Sequence, residues 1–221
     1  MALRRFAAWL HAEGELDDNP LIGLKPPQLD VKVVEPLTDE ELKKLIKTCA
    51  GRTMRDRRDE AIVRLMAETG MRAGELIAMR TSDIGLTRGI AIVRRGKGGK
   101  GRIVPFSPQT ATAIDRYMRA RRTHRLADTS TLWLGQRGMT FSYKGLARSL
   151  EMRAQDAGLT GFHPHLLRHT AATRWLAAGG SEGGLLSIAG WKRRDMLDRY
   201  TSATASDRAA AEARTLNLGD M

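Results

Sequence analysis

A tyrosine close to the C-terminal end of the chain, Tyr200, follows a set of residues whose side chains could make it a nucleophile. Upstream stand Arg72 in ETGMRAGEL, Lys97 in RRGKGGKGRIVP, and His165 and Arg168 in HPHLLRHTAATRWL. A phenol with a pKa of about 10 is a weak nucleophile, so an enzyme that uses one needs cations to stabilise the charge at the attacked centre. The arginines, the lysine and the histidine supply that charge. The set therefore indicates nucleophilic catalysis by Tyr200.

In this order along the chain, these motifs resemble those of the tyrosine recombinases, the phage integrase family. The resemblance implies a site-specific recombinase in which Tyr200 attacks a scissile DNA phosphate, forms a 3′-phosphotyrosyl link and is displaced by the 5′ hydroxyl of another strand. It implies that Arg72 and Arg168 stabilise the non-bridging oxygens and that Lys97 protonates the leaving 5′ oxygen. Bond energy is conserved and the side chains replace metal-ion charge, so neither a cofactor nor a metal ion is expected.

The residues around this set carry further expectations from the resemblance. The position nine before the nucleophile is usually histidine in the family and is Trp191 here. An indole N–H can only donate, so Trp191 is expected to donate to phosphate and His165 to accept the tyrosine proton. Glu75 and His169 are expected to contact and orient their neighbours. Each of these residues has an alternative role. Trp191 could be a core residue, Glu75 an intrahelical salt-bridge partner and His169 a packing residue.

The glycine-rich stretch at 96–101 formally matches a dinucleotide-binding fingerprint, but the strand-like RIVPF follows where such a site needs a helix. The stretch also does not match a Walker loop, because Arg102 stands where that motif requires Lys followed by Ser or Thr. The pattern favours a basic hairpin tip that approaches DNA, with Lys100 and Arg102 as DNA-binding residues. Lys100 is the rival of Lys97 for the role of general acid.

A zinc site is the alternative for the histidines, since His165 and His169 have i, i+4 spacing and His163 is nearby. A zincin motif would need glutamate at 166, which is leucine, and no carboxylate or cysteine cluster supplies a third ligand. The metal interpretation is therefore disfavoured.

Composition agrees with double-stranded DNA as the partner. Lys and Arg total 37 against 25 Asp and Glu, a formal net charge of +12, although a solvated basic surface would give the same excess. Cys49 is the one cysteine, so an intramolecular disulfide and a cysteine-based zinc finger are excluded. No apolar run approaches the ~20 residues of a membrane helix. The expected location is the bacterial cytoplasm, in association with the nucleoid.

Two domains are predicted. Residues 1–13 have helical periodicity that should stop near Gly14, and a proline-rich stretch follows. By the resemblance, residues 1–35 are the end of a helical core-binding domain plus linker, and residues 36–221 are a catalytic domain with a C-terminal tail helix. Compared with the family, residues 1–35 are too few for a whole core-binding domain, so a truncated or naturally reduced form is expected.

The fold class predicted for the second domain is mainly α with a small antiparallel β-sheet (α+β). Thr38 and Glu41 form a capping box, Gly70 should close a helix over 55–68, and Arg72 should begin a short one. The stretch 82–105 predicts a hairpin. Further helices are expected at about 109–125, 142–157, 166–178, 182–189 and 193–200.

The tail, residues 207–218, has a narrow apolar face, and in the family it docks on a neighbouring protomer. A homo-tetramer on an attachment or core site is therefore expected, with the free chain mainly monomeric. Two alternative functions remain: a type IB topoisomerase, which shares the chemistry, and a non-catalytic DNA-binding remnant or regulator.

Overall fold

A computed structural model describes residues 2–24, 35–94, 101–136 and 138–191, with residue 197 and residues 209–210 and 213–214. Tyr200, Lys97 and Lys100 lie outside these residues, as do most of the expected helix at 193–200 and of the tail. The chain divides into two compact units, Met1–Val33 and Val34–Met221. Their assignment as core-binding remnant and catalytic domain stays a prediction.

The first unit contains helix α1 (Ala2–Ala12), and the chain leaves it through Gly14, whose φ of 77° only glycine adopts readily. The expected helix and its stop are both present. Phe6 stacks on Trp9 with ring centroids 5.9 Å apart, and both rings are exposed.

The second unit is mainly helical, as predicted. Its helices are α2 (Asp39–Lys47), α3 (Met54–Thr69), α4 (Ala73–Ile77), α5 (Pro108–Arg121), α6 (Tyr143–Asp156), α7 (Pro164–Ala177) and α8 (Glu182–Ala189). Among the described residues, none of the helices is long and apolar enough to cross a membrane.

The sheet is antiparallel and has the strand order β1 (Ile84–Gly85), β2 (Ile90–Val93), β3 (Arg102–Pro105). The predicted hairpin is β2 paired with β3, in a register that places Val93 opposite Arg102. Strand β1 was not singled out from the sequence, because two residues are too few to show alternation.

Local capping signals set most helix ends. Thr38 and Glu41 form both hydrogen bonds of the capping box at α2, and Gly70 ends α3 in the left-handed region with φ 61°.

Helix α5 is the exception, since it was expected to continue to about 125 and ends at Arg121. The guanidinium of Arg121 is buried and organises the loop that follows the helix. It donates to the carbonyls of Ala127, Thr129, Thr131 and Leu132. These tertiary bonds stabilise a loop where the sequence alone favours more helix.

Helix α3 lies at the centre of the second unit and packs on α5 and α7. Its buried side chains include Ile62, Leu65 and Met66. A buried ion network also fixes it to α6, because Arg153 donates to Asp59 and Asp56. The ion pairs lie in the N-terminal half of α3, and the helix leads at its other end through Gly70 to Arg72.

Candidate active site

Arg72, His165 and Arg168 meet around one pocket of about 220 Å³. The pocket lies between the α3–α4 junction and the first turns of α7. The remaining lining residues are Met66, Met71, Ala73, Gly74, Tyr143 and Pro164. Residues almost a hundred positions apart in sequence are thus brought together.

Arg72 is the N-cap residue of α4 and is 29% exposed. Its backbone N–H donates to Glu75 Oε2 and its Nη1 to Glu75 Oε1, both at 2.9 Å, while Nη2 donates to the carbonyl of Gly190 at 3.2 Å. The carboxylate therefore fixes both the backbone and the side chain of Arg72.

Glu75 is buried, and it is indeed the intrahelical salt-bridge partner of Arg72. Burial by itself would raise the pKa of Glu75. Hydrogen bonds from Arg102 and from the Arg72 backbone, then the charge of Arg102 and the hydrogen bond from the Arg72 side chain, outweigh burial and lower the pKa to about 2. Glu75 is therefore an anion at every pH at which the protein would work.

Arg168, on α7, is only 2% exposed. Its guanidinium donates to the carbonyl of Gly70 and, at 2.8 Å, to that of Ala189. It also lies 5.0 Å from the ring centroid of Trp191, within cation–π range. A phosphate would reach Arg168 through the pocket.

Trp191 is buried in a small cluster with Leu176, Leu185 and Leu197. It is not among the residues that line the pocket. The Arg168 guanidinium lies over its ring face, and its place in the apolar cluster agrees with the core alternative. Donation from its indole to phosphate stays a prediction.

His165 lies in the first turn of α7 with its side chain exposed at the pocket. Its ring centroid is 6.4 Å from that of His163 and 5.1 Å from that of His169. Partial burial, and then the charges of Arg168, His163 and Arg72, lower the pKa of His165 from 6.5. The imidazole is therefore neutral at neutral pH and able to accept a proton. No three His, Cys, Asp or Glu side chains in the described part of the chain are placed to hold a metal ion.

Comparison with known proteins identifies the fold and the family. The model of the phage integrase family matches residues 35–207. The tyrosine recombinase XerC of Oceanobacillus iheyensis is 33% identical over 207 residues, which cover 91% of this chain and 68% of that protein. This chain belongs to the phage integrase family of tyrosine recombinases.

Solved structures agree. The crystal structure of XerA recombinase is similar with a TM-score of 0.70 and 28% identity, over 90% of this chain and 76% of the other. The Tn1549 transposon integrase, in complex with circular intermediate DNA, shares the fold with a TM-score of 0.74 at 22% identity, over 95% of this chain and 75% of that one.

Arg102 has surroundings that differ from those of an exposed basic hairpin. Arg102 was expected to bind DNA, but its side chain is only 11% exposed and turns inward. Its Nη1 and Nη2 donate to the two oxygens of Glu75, and its Nε donates to the carbonyl of Ile188. The Nη1 and Nη2 groups of Arg102 thus form a bidentate pair with a buried carboxylate, and its binding of DNA stays a prediction.

The structure adds Tyr143 to the pocket, a residue that the sequence motifs do not indicate. Tyr143 is exposed and lines the pocket with Arg72 and His165. Nothing in its spacing to the other motifs signals this, because the approach is made by a different helix, α6. Tyr117, in contrast, is a core residue, and burial raises its pKa to about 12.

Proposed function

We propose that this chain is a site-specific recombinase that cleaves and rejoins double-stranded DNA through a 3′-phosphotyrosyl intermediate formed on Tyr200. The observation that carries the proposal is the convergence of Arg72, His165 and Arg168 on one pocket in a chain of the phage integrase family. The pocket offers two guanidinium groups and a neutral imidazole to a single small anion.

The scissile phosphate would bind between Arg72 and Arg168. Guanidinium groups remain protonated and offer paired donors that match the geometry of phosphate oxygens. As the phosphorus becomes five-coordinate, charge grows on the non-bridging oxygens, and donors already in place stabilise that charge without reorganisation. Glu75 supplies the fixed orientation of Arg72, and the ring of Trp191 supports Arg168.

Proton transfers would divide between two residues. His165 accepts the phenol proton as Tyr200 attacks, which needs the neutral imidazole that the lowered pKa provides. Lys97 protonates the 5′ oxygen as it leaves. His169, whose ring lies edge-on to His165, would hold that imidazole in orientation. Attack by the 5′ hydroxyl of a second strand then restores the phosphodiester.

The protein would assemble on its DNA. The net charge of +12 favours binding to the phosphate backbone, and Lys100 would add a contact from the hairpin. We propose a homo-tetramer on an attachment or core site and a free chain that is mainly monomeric. The Tn1549 transposon integrase, which shares this fold, was solved in complex with circular intermediate DNA, which supports DNA as the partner. The site of action would be the DNA of a bacterial cytoplasm.

Incubation with a duplex nicked beside the cleavage site tests the proposal, because loss of the short fragment traps the covalent complex. We expect a protein–DNA adduct, formed equally in EDTA, and joining of the cleaved strand to a second duplex. Arg72→Ala should slow adduct formation by about 10²-fold or more. Arg64, which is 24% exposed and pairs with Glu60 on α3, is the matched control, and Arg64→Ala should cleave normally.

An absolute requirement for a divalent metal ion, or equal effects of the two substitutions, would contradict the proposed chemistry. If the protein forms the adduct and relaxes supercoiled DNA but never joins strands from two duplexes, the topoisomerase alternative is favoured. Tight binding with no adduct would favour the regulator.

A further inference from the structure

Three arginines from three different elements bind the C-terminal end of α8. Arg102 donates to the carbonyl of Ile188 at 2.7 Å, Arg168 to that of Ala189 at 2.8 Å and Arg72 to that of Gly190 at 3.2 Å. The last carbonyls of a helix have no intrahelical donor and lie at the negative end of its dipole, so they attract cations. Arg72 and Arg168 belong to the proposed phosphate site, whereas Arg102 has no part in that mechanism.

Arg102 and Arg72 share one carboxylate. Arg102 bonds both oxygens of Glu75 at 2.9 and 2.7 Å, and Arg72 bonds Oε1 at 2.9 Å from its guanidinium. Glu75 must therefore keep its position for Arg72 to keep its own, and the bidentate bond from Arg102 constrains that position.

The guanidinium of Arg102 lies close to the backbone of Gly190. A Cβ at Gly190 would lie 2.9 Å from Arg102 Nη1 and 3.0 Å from its Cζ, closer than such atoms approach. Gly190 also has φ 63°, where glycine is favoured. The guanidinium is thus packed against backbone on one side and a buried carboxylate on the other.

We propose that Arg102 is a positioning residue for strand cleavage: it holds Arg72 in place through Glu75 and fixes the end of α8 against the start of β3. The inference rests on the proposed function. It requires the fork of an arginine, because a lysine keeps the charge but cannot bond both oxygens of Glu75 and the carbonyl of Ile188 together.

A double-mutant cycle on single-turnover cleavage of the nicked duplex, at saturating protein, tests this. We expect Arg102→Lys to lower the rate constant about tenfold while the Kd for DNA stays within about threefold. In the Arg72→Ala background the same substitution should cost less than about twofold, because the group it positions is gone.

Arg153 provides the matched control for a merely structural effect. It is also 11% exposed, and it bonds the carboxylates of Asp56 and Asp59 and the carbonyl of Thr48, away from the pocket. Arg153→Lys should lower the melting temperature as Arg102→Lys does, yet leave the cleavage rate unchanged when all variants are assayed below their melting temperatures.

An equal loss in both backgrounds would overturn the inference, and so would an equal slowing by Arg153→Lys. Weaker DNA affinity with a smaller salt dependence and a normal saturated rate would make Arg102 a phosphate contact instead. If Arg102→Lys does not fold, Arg102→Gln, which also removes the bidentate bond to Glu75, must show the same dependence on Arg72. If Arg72→Ala itself cleaves normally, the proposed function fails, and this inference with it.

Discussion

At the scale of single residues, the ionised carboxylate of Glu75 accounts for the orientation of Arg72. The pKa of Glu75 falls from 4.5 to about 2 on folding, so its charge stabilises the fold above pH 4.5 and that stabilisation disappears as the pH falls through about 2. Glu75→Gln should therefore lower the free energy of unfolding at neutral pH by about 3 kcal/mol.

Denaturant titrations at several pH values measure this. The difference in free energy of unfolding between Glu75→Gln and the native protein should become smaller below pH 4.5. Glu40→Gln removes a carboxylate from an exposed pair with Lys43 and should change stability little. A pH-independent difference would show that Glu75 acts by packing and not by charge.

His165 carries the pH dependence expected of the chemistry. Its pKa is below 6.5, and only the neutral imidazole can accept the phenol proton. The second-order rate constant of cleavage should be level on the basic side of 6.5 and fall as the pH drops below the pKa. His165→Gln should be slow and lack this acid limb, whereas His11→Gln should keep the full profile. An acid limb that survives His165→Gln would assign the base elsewhere.

At the scale of elements, the sequence predicted those features that depend on neighbouring residues in the chain, such as helix ends. Thr38 with Glu41, and Gly70 alone, determine helix ends through their own neighbours, and the structure has those ends. The surroundings of Arg121 and Arg102 could not be predicted, because the partners of both guanidinium groups lie in other elements. A basic residue beside a glycine-rich turn has the same local pattern whether it faces DNA or a buried carboxylate.

The hairpin between β2 and β3 carries the next prediction. Lys97→Ala should slow cleavage by removing the proton donor for the 5′ oxygen, whereas Lys100→Ala should mainly weaken DNA binding and its salt dependence. In a substrate with sulfur at the 5′-bridging position, the sulfur departs as a thiolate without protonation. This substrate should therefore restore the cleavage rate of Lys97→Ala. Rescue of Lys100→Ala instead would exchange the two roles.

At the scale of the whole molecule, the fold class and the order of the motifs followed from the sequence, but the composition of the pocket did not. Tyr143 reaches Arg72 and His165 only because α6 packs beside α4 and α7. Such an approach depends on tertiary packing, which periodicity and capping signals do not encode. The two-unit division places all the described pocket residues in the second unit.

Assembly is the property of the whole molecule that we predict. Native mass spectrometry should show mainly monomer without DNA and a tetramer on two target duplexes. Deleting residues 205–221 should impair recombination between duplexes more than it lowers the melting temperature. A stable tetramer in the absence of DNA, or a deletion that unfolds the chain, would show that the tail packs in another way.

The identity of the nucleophile is the central claim, and peptide mapping of the trapped adduct tests it most directly. Digestion of the covalent complex should leave the nucleotide on the peptide that contains Tyr200. Tyr200→Phe should form no adduct and bind DNA with a Kd within about threefold of the native value, because only the attacking oxygen is removed. An adduct on Tyr143, which lines the pocket, or one that persists in Tyr200→Phe, would contradict the account.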